Sequence, residues 1–230
     1  MKLDRAALEA APRRLLSRGS RLKPAVHRVE LPDGPACVVK DVREVPGWSR
    51  WLARWLMGRE RRILRALDGV DGVPQLLGEV DRDAFALALL PGEPLTPAAF
   101  EQHPRSLAAD LRAITAAMHA RGVYHLDLRQ RQNLLVAGER LAVVDFGAAW
   151  KPRLWSRWLL APIFGWVDRQ AVLKYLARHA PEELGYDEAR SVLRFLRLRK
   201  LWFVSPHNDA GEWAAAKQRV AQGRGDAPKS

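Results

Sequence analysis

Between Tyr124 and Trp150 the chain reads "YHLDLRQRQNLLVAGERLAVVDFGAAW", in which two apolar runs, "LLV" and "LAVV", are joined by the short turn "AGER". This is the signature of a β-hairpin, and it constrains the fold more than any other feature of the sequence. Polar residues crowd both outer ends: His125, Asp127, Arg129 and Asn133 before the first run, Asp145 directly after the second. Taken singly, Asp127 suits a turn cap and Asp145 suits a surface ion pair. Two aspartates flanking one hairpin, with a lysine, Lys40, closing an earlier apolar strand "ACVVK", point instead to shared chemistry.

The remaining periodicities organise the chain around that hairpin. The spacing predicts a short helix over 4–10, then two strands in "PAVHRVELPDGPACVVK" about the hairpin signal Asp33-Gly34, which opens an antiparallel sheet. Residues 48–67 read as helix, with Trp48, Trp51, Leu52, Trp55 and Leu56 on one stripe. Ile63, Leu64 and Leu67 form a second stripe after a break at Gly58. "VPQLLGEV" and "AFALALL" predict two further strands. Thr96-Pro97 predicts a cap and first helical residue, and Leu107, Leu111, Ile114, Ala117 and Met118 mark a buried helix ending before Gly122. Helical patterns return at 168–179 and 187–203, and the end of the chain is expected as a frayed basic tail. The expected class is therefore α+β, with an antiparallel sheet and one main helix first and mostly helices after. No internal repeat is present, and no apolar run approaches the roughly 18 residues that cross a bilayer.

Charge bears on partners and compartment. A net charge of +12 implies acidic partners such as nucleotide phosphates, anionic lipid or nucleic acid. The charged start "MKLDRAALEA" lacks a secretory apolar core, which predicts a cytoplasmic protein. The single cysteine, Cys37, lies in an apolar run and is expected as a small buried hydrophobe.

These residues together resemble the protein-kinase-like superfamily. His125, Asp127 and Asn133 resemble the H-R-D-x-x-x-x-N catalytic loop, and Asp145-Phe146-Gly147 is a D-F-G. Lys40 resembles the strand lysine of V-A-I-K, and Glu60 matches the glutamate of the helix that follows it. The likeness covers residues from about 15 to 180, and the brevity of the chain is similar to RIO-type and bacterial lipopolysaccharide-core sugar kinases. It implies a two-lobed fold: a small antiparallel-sheet lobe with one main helix over 1–92, a short and mostly helical lobe over 93–205, and a basic tail over 206–230. It further implies transfer of the γ-phosphate of ATP to a hydroxyl, because phosphoryl transfer asks chiefly for positioning and charge neutralisation.

In that reading Lys40 holds the α/β-phosphates and is fixed by Glu60, on a helical face with Ile63, Leu64 and Leu67; Glu44 is the fallback. Asp145 carries Mg²⁺, with Asn133 as second ligand. Asp127 orients the acceptor hydroxyl, and the fixed charge of Arg129 suits the transferring phosphate. His125 is expected to brace the loop through hydrogen bonds. The sequence also departs from the pattern. Asp127 to Asn133 is one residue longer than the family spacing, so Gln132 occupies the regular slot and competes with Asn133 as ligand. No G-x-G-x-x-G precedes Lys40, and only "SRGSR", with Gly19 and Ser20, offers amides to a phosphate. No A-P-E follows the D-F-G. A non-catalytic nucleotide-binding scaffold is the alternative.

Seven of the nine tryptophans fall in 48–55 and 150–166, interleaved with arginine. Core packing accounts for them, and so does a peripheral position on an anionic membrane. The latter suits a glycolipid sugar as acceptor; a protein Ser or Thr is the family default. Aromatics clustered with leucines make nucleic acid the weaker partner.

Overall fold

A computed structural model describes residues 4–31, 34–200 and 210–223. The chain forms two compact units, one reaching to Pro91 and including Val144–Ala149, the other comprising Gly92–Val143 and the residues from Trp150 onward. Both helices and antiparallel strands are present, as the mixed periodicities predict.

The first unit begins with α1 (Arg5–Ala10), whose N-cap Asp4 accepts from the Ala6 amide at 3.2 Å. Its five-stranded sheet contains β1 (Arg13–Ser17), β2 (Ala25–Val29), β3 (Cys37–Asp41), β4 (Leu76–Glu79) and β5 (Ala84–Ala88), in the order β1-β2-β3-β5-β4. Each adjacent pair is antiparallel. The Asp33 half of the expected turn lies outside the described residues, but β2 and β3 pair in the register that a hairpin there requires, Val29 opposite Cys37. Alternation along β3 sends Cys37 and Val39 to a core with Leu8, Ala11, Val29 and Val80, and Lys40 to the other face. Cys37 is buried there, as a small hydrophobe would be. The exposed strand β1 gave no alternating apolar signal in the sequence.

Helix α2 (Gly47–Ala66) runs unbroken through Gly58, contrary to the expected break. Its buried stripe is Ser49, Ala53, Met57, Glu60, Ile63 and Leu64, so small and flexible side chains face inward. The tryptophans do not: Trp48, Trp51 and Trp55 are half or more exposed. The core reading is also overturned for Trp155 and Trp158, each about three-quarters exposed. Bulk explains the first case, because close packing of α2 leaves room on its inner side for Ala53 and Ser49 rather than an indole.

The second unit opens with β6 (Glu93–Pro94), where Gly92 adopts φ 117° and any Cβ would stand 2.7 Å from the Val136 carbonyl oxygen. Thr96 caps α3 (Pro97–Gln102), accepting from the Ala99 amide at 3.2 Å. A second proline, Pro104, then starts α4 (Pro104–Ala120), so the expected single helix is two. Leu107, Leu111, Ile114 and Met118 are buried as the spacing predicts, while Ala117 is only half-buried. The hairpin is β7 (Leu134–Ala137) and β8 (Arg140–Val143), with β6 paired to β7. Asp110 on α4 accepts from the Leu141 amide at 2.9 Å and ties the hairpin to that helix.

Helix α5 (Leu154–His179) is fourteen residues longer than the pattern at 168–179 implied, running through Pro162 and Gly165. Pro162 is exposed, so solvent can satisfy the carbonyl its ring displaces. Beyond it lie α6 (Tyr186–Lys200) and α7 (Ala210–Ala221). The expected frayed tail is thus helical over 210–221; Ala216 is buried, and Arg219 Nε donates to the Leu184 carbonyl at 2.9 Å. No described helix is long and apolar enough to cross a membrane.

Candidate functional site

The first cluster is built on β3 and α2. Lys40, opposite Val26 on β2 and Phe85 on β5, sits in the middle of the sheet and is 6% exposed. A bare ammonium there would be costly, and two carboxylates meet it: Glu60 Oε1 at 2.6 Å and Asp145 Oδ1 at 2.9 Å. Burial by itself lowers the Lys40 pKa, but the charges of Glu60 and Asp145 outweigh it and hold the group well above the ordinary lysine range. Both carboxylates favour its cationic form. Glu60 is the fixed partner, 3% exposed, whereas Glu44, the fallback, is exposed in a turn.

Asp145 differs from Glu60 in access and in backbone. Its side chain is 52% exposed, and its backbone is left-handed at φ 61° and ψ 73°. The short 3-10 turn that follows, Phe146–Ala148, is held by Arg59, which donates to the Gly147 carbonyl at 2.5 Å. Among the described residues the other non-glycine with positive φ is Leu126, at 64°. Such a conformation costs about 1–3 kcal/mol and persists only where surroundings enforce it, commonly at functional sites. Both outliers fall in the two polar stretches that bracket the hairpin.

The second cluster is the loop before β7, and a residue that sequence reasoning missed holds it in shape. Asp168 on α5, wholly buried, accepts from the His125 amide at 2.8 Å and the Leu126 amide at 2.7 Å, and lies 3.0 Å from His119 Nε2. These bonds account for the strained Leu126. One signal for Asp168 was available: it shares a helical stripe with Ala171, Val172 and Tyr175, and a lone acid on an apolar stripe needs buried donors. His125 is fully buried, and its Nδ1 takes the Asp127 amide at 3.3 Å, a bracing role as expected. Tyr124 and Trp150 exchange two backbone hydrogen bonds, at 2.9 and 2.8 Å, pinning the start of the loop.

Asn133, not Gln132, is turned onto Asp127. Its amide nitrogen donates to the Asp127 carbonyl at 2.9 Å and to Asp127 Oδ2 at 3.0 Å, while Gln132 is exposed. The extra residue in the spacing is absorbed by a single 3-10 turn, Arg131–Asn133. The Arg129 carbonyl accepts from the Tyr175 hydroxyl at 2.9 Å, and the Arg129 guanidinium lies 5.5 Å from the centre of the Phe195 ring. Burial, against the pull of Arg131 and Arg129, pushes the Tyr175 phenol up to about 12.

Among the described residues no three His, Cys, Asp or Glu side chains gather into a metal cage. Mg²⁺ does not require one, since it is commonly held through one or two protein oxygens plus phosphate and water. The carboxylate of Asp145 and the amide oxygen of Asn133 are donors of the right hardness. Gly19 fits less well with a phosphate loop. A Cβ there would stand 3.0 Å from both the Ala25 nitrogen and the Lys23 oxygen, so its role is a close backbone approach. The Ser20 amide is already given to the Lys23 carbonyl at 3.0 Å.

The two clusters share a plan: each joins a buried, fixed carboxylate to a more accessible aspartate, Glu60 with Asp145 and Asp168 with Asp127. The first also offers a fixed cation for a phosphate. No protein-family model matches this chain, and no curated protein matches it in sequence.

Proposed function

We propose that the protein is an ATP-dependent phosphotransferase with a two-lobed, protein-kinase-like fold, moving the γ-phosphate to a hydroxyl acceptor. The observation that carries this reading is Lys40, a buried cation bonded at 2.6 Å to an inaccessible carboxylate and at 2.9 Å to an accessible one. Such a lysine is held in place by Glu60 while its remaining bonding capacity can pass from Asp145 to a phosphate. Asp145 would hold Mg²⁺, which would supply neutralisation of the phosphate charge, and Asn133 is the second ligand that the resemblance implies. Asp127, with its carboxylate oriented by Asn133 and its amide by His125, positions the acceptor hydroxyl and takes its proton. As the new oxygen–phosphorus bond forms, the bond to the β-phosphate breaks and ADP departs.

The acceptor is a protein serine or threonine or a glycolipid sugar, and the proposed location is cytoplasmic, peripheral to the membrane. Purified protein with labelled ATP and Mg²⁺, given membrane extract in one reaction and soluble-protein extract in another, separates the two. Asp127→Ala and Asp145→Asn should each lower transfer by about 10²–10⁴-fold without unfolding the chain. Full activity in Asp145→Asn would remove the metal assignment. Wild-type protein that binds nucleotide and transfers nothing to either extract is the scaffold instead.

A further inference from the structure

The first half of α5 presents an apolar ridge to solvent. Leu154 is 87% exposed, Trp155 75%, Trp158 77%, Leu159 53%, Ile163 51% and Trp166 43%. At about 100° per residue they spread over roughly half of the helix circumference, with Trp155, Leu159, Ile163 and Trp166 on the side away from Asp168. Water is a poor solvent for so continuous a surface, and exposed patches of this kind mark interaction sites.

We propose that this ridge docks on an anionic lipid bilayer, the helix lying in the headgroup plane with its indoles at the interface. Charge selects this occupant. From Lys151 to Val167 the sequence has no acidic residue, while Lys151, Arg153, Arg157 and the nearby Arg169 are exposed. Among the described residues none of these four cations is in an ion pair with a protein carboxylate. Helix α2 is more nearly neutralised: its tryptophans are also exposed, but Arg54 pairs with Asp83, and Arg61 and Arg65 pair with Glu79, while Arg50 and Arg62 bond backbone carbonyls. The α5 cations thus stand ready for external anions. A second copy of the chain would bring the same unpaired arginines face to face, which opposes self-association through the ridge. A convex ridge of tryptophan and leucine flanked by arginine matches the depth profile of a bilayer surface, apolar below and anionic above. No described helix is long and apolar enough to span the membrane, so the attachment is peripheral. The inference does not rest on phosphotransfer and is read without nucleotide.

The test is cosedimentation of the full-length protein with vesicles of phosphatidylcholine alone or mixed with phosphatidylglycerol. Binding is expected to the mixed vesicles at low salt, to fall as salt is raised, and to be weak on the neutral ones. Trp155→Ser combined with Trp158→Ser should lower the partition coefficient at least about tenfold with an unchanged melting transition. Arg153→Gln with Arg157→Gln should lower it on the mixed vesicles only. The proposal fails if wild-type protein remains in the supernatant at low salt, if the tryptophan variant binds as well as wild type, or if that variant melts early, which would make the indoles structural. It fails as well if the protein is dimeric in solution and the tryptophan variant is monomeric, since the ridge would then be a self-association face.

Discussion

In the first unit a buried ammonium, Lys40, is met by two carboxylates; in the second a buried carboxylate, Asp168, is met by two backbone amides and an imidazole. Both remove the cost of a charge withdrawn from water, yet they leave different freedoms. Backbone donors at His125 and Leu126 are fixed by the chain itself, so Asp168 shapes the loop and has no exchangeable partner among them. Lys40 has one partner locked on α2 and another, Asp145, that is half-exposed and can give way to a different anion. The Asp168 arrangement suits rigidity; the Lys40 arrangement suits the exchange of a ligand.

Substitution at Asp168 should produce the largest effect on stability. Asp168→Ala strands two buried amides and the His119 ring, and a loss of about 3–5 kcal/mol is expected in denaturant unfolding. A loss below about 1 kcal/mol would mean that the loop keeps its shape without its brace, and the contrast between the clusters would collapse.

Glu60→Gln should cost less, about 1–3 kcal/mol, because an amide oxygen still accepts from Lys40 and Asp145 still neutralises it. Its larger consequence is positional: under the proposed function the nucleotide affinity read by calorimetry should fall, while Asp145→Asn leaves unfolding nearly unchanged, since an ion pair to a half-exposed carboxylate is screened. Equal destabilisation by the two substitutions would show that both carboxylates are structural.

A smaller effect than that of Glu60→Gln concerns Tyr175, which supports the loop from α5 through the Arg129 carbonyl. Its folded pKa, about 12, lies above the ordinary phenol value near 10, so its contribution is fully present below pH 10 and is lost as pH rises toward 12. Tyr175→Phe should cost about 0.5–1.5 kcal/mol at neutral pH and flatten the fall in melting temperature across that alkaline window. An unchanged alkaline slope in the variant would assign the fall to other groups.

Local pattern carried the elements whose own residues specify them. Thr96-Pro97 starts α3 because a hydroxyl cap and a proline lacking an N–H both satisfy a helix start. The hairpin of β7 and β8 was legible for the same reason, as was the pairing of β2 with β3. Lys40 and Glu60 were paired through the resemblance, which implies a strand lysine and a helix glutamate, and helical spacing added only that Glu60 shares a face with Ile63, Leu64 and Leu67. The misreadings came where breakers met tertiary support: Gly58 stays helical within α2, Pro162 and Gly165 stay helical within α5, and the alanine-rich segment of α7 is helical with Ala216 and Arg219 buried.

What the sequence determined by itself was the mixed α+β class and the polar residues bracketing the hairpin, since each follows from the period or chemistry of neighbouring residues, while the choice of Glu60 for Lys40 came from the resemblance those residues carry. Tertiary structure alone decided which carboxylate braces the loop, which amide turns to Asp127, and that the tryptophans of α2 and α5 face outward. Those outcomes depend on contacts between residues as far apart as Leu126 and Asp168, and on how much room a packed interior leaves for an indole. No periodicity encodes that.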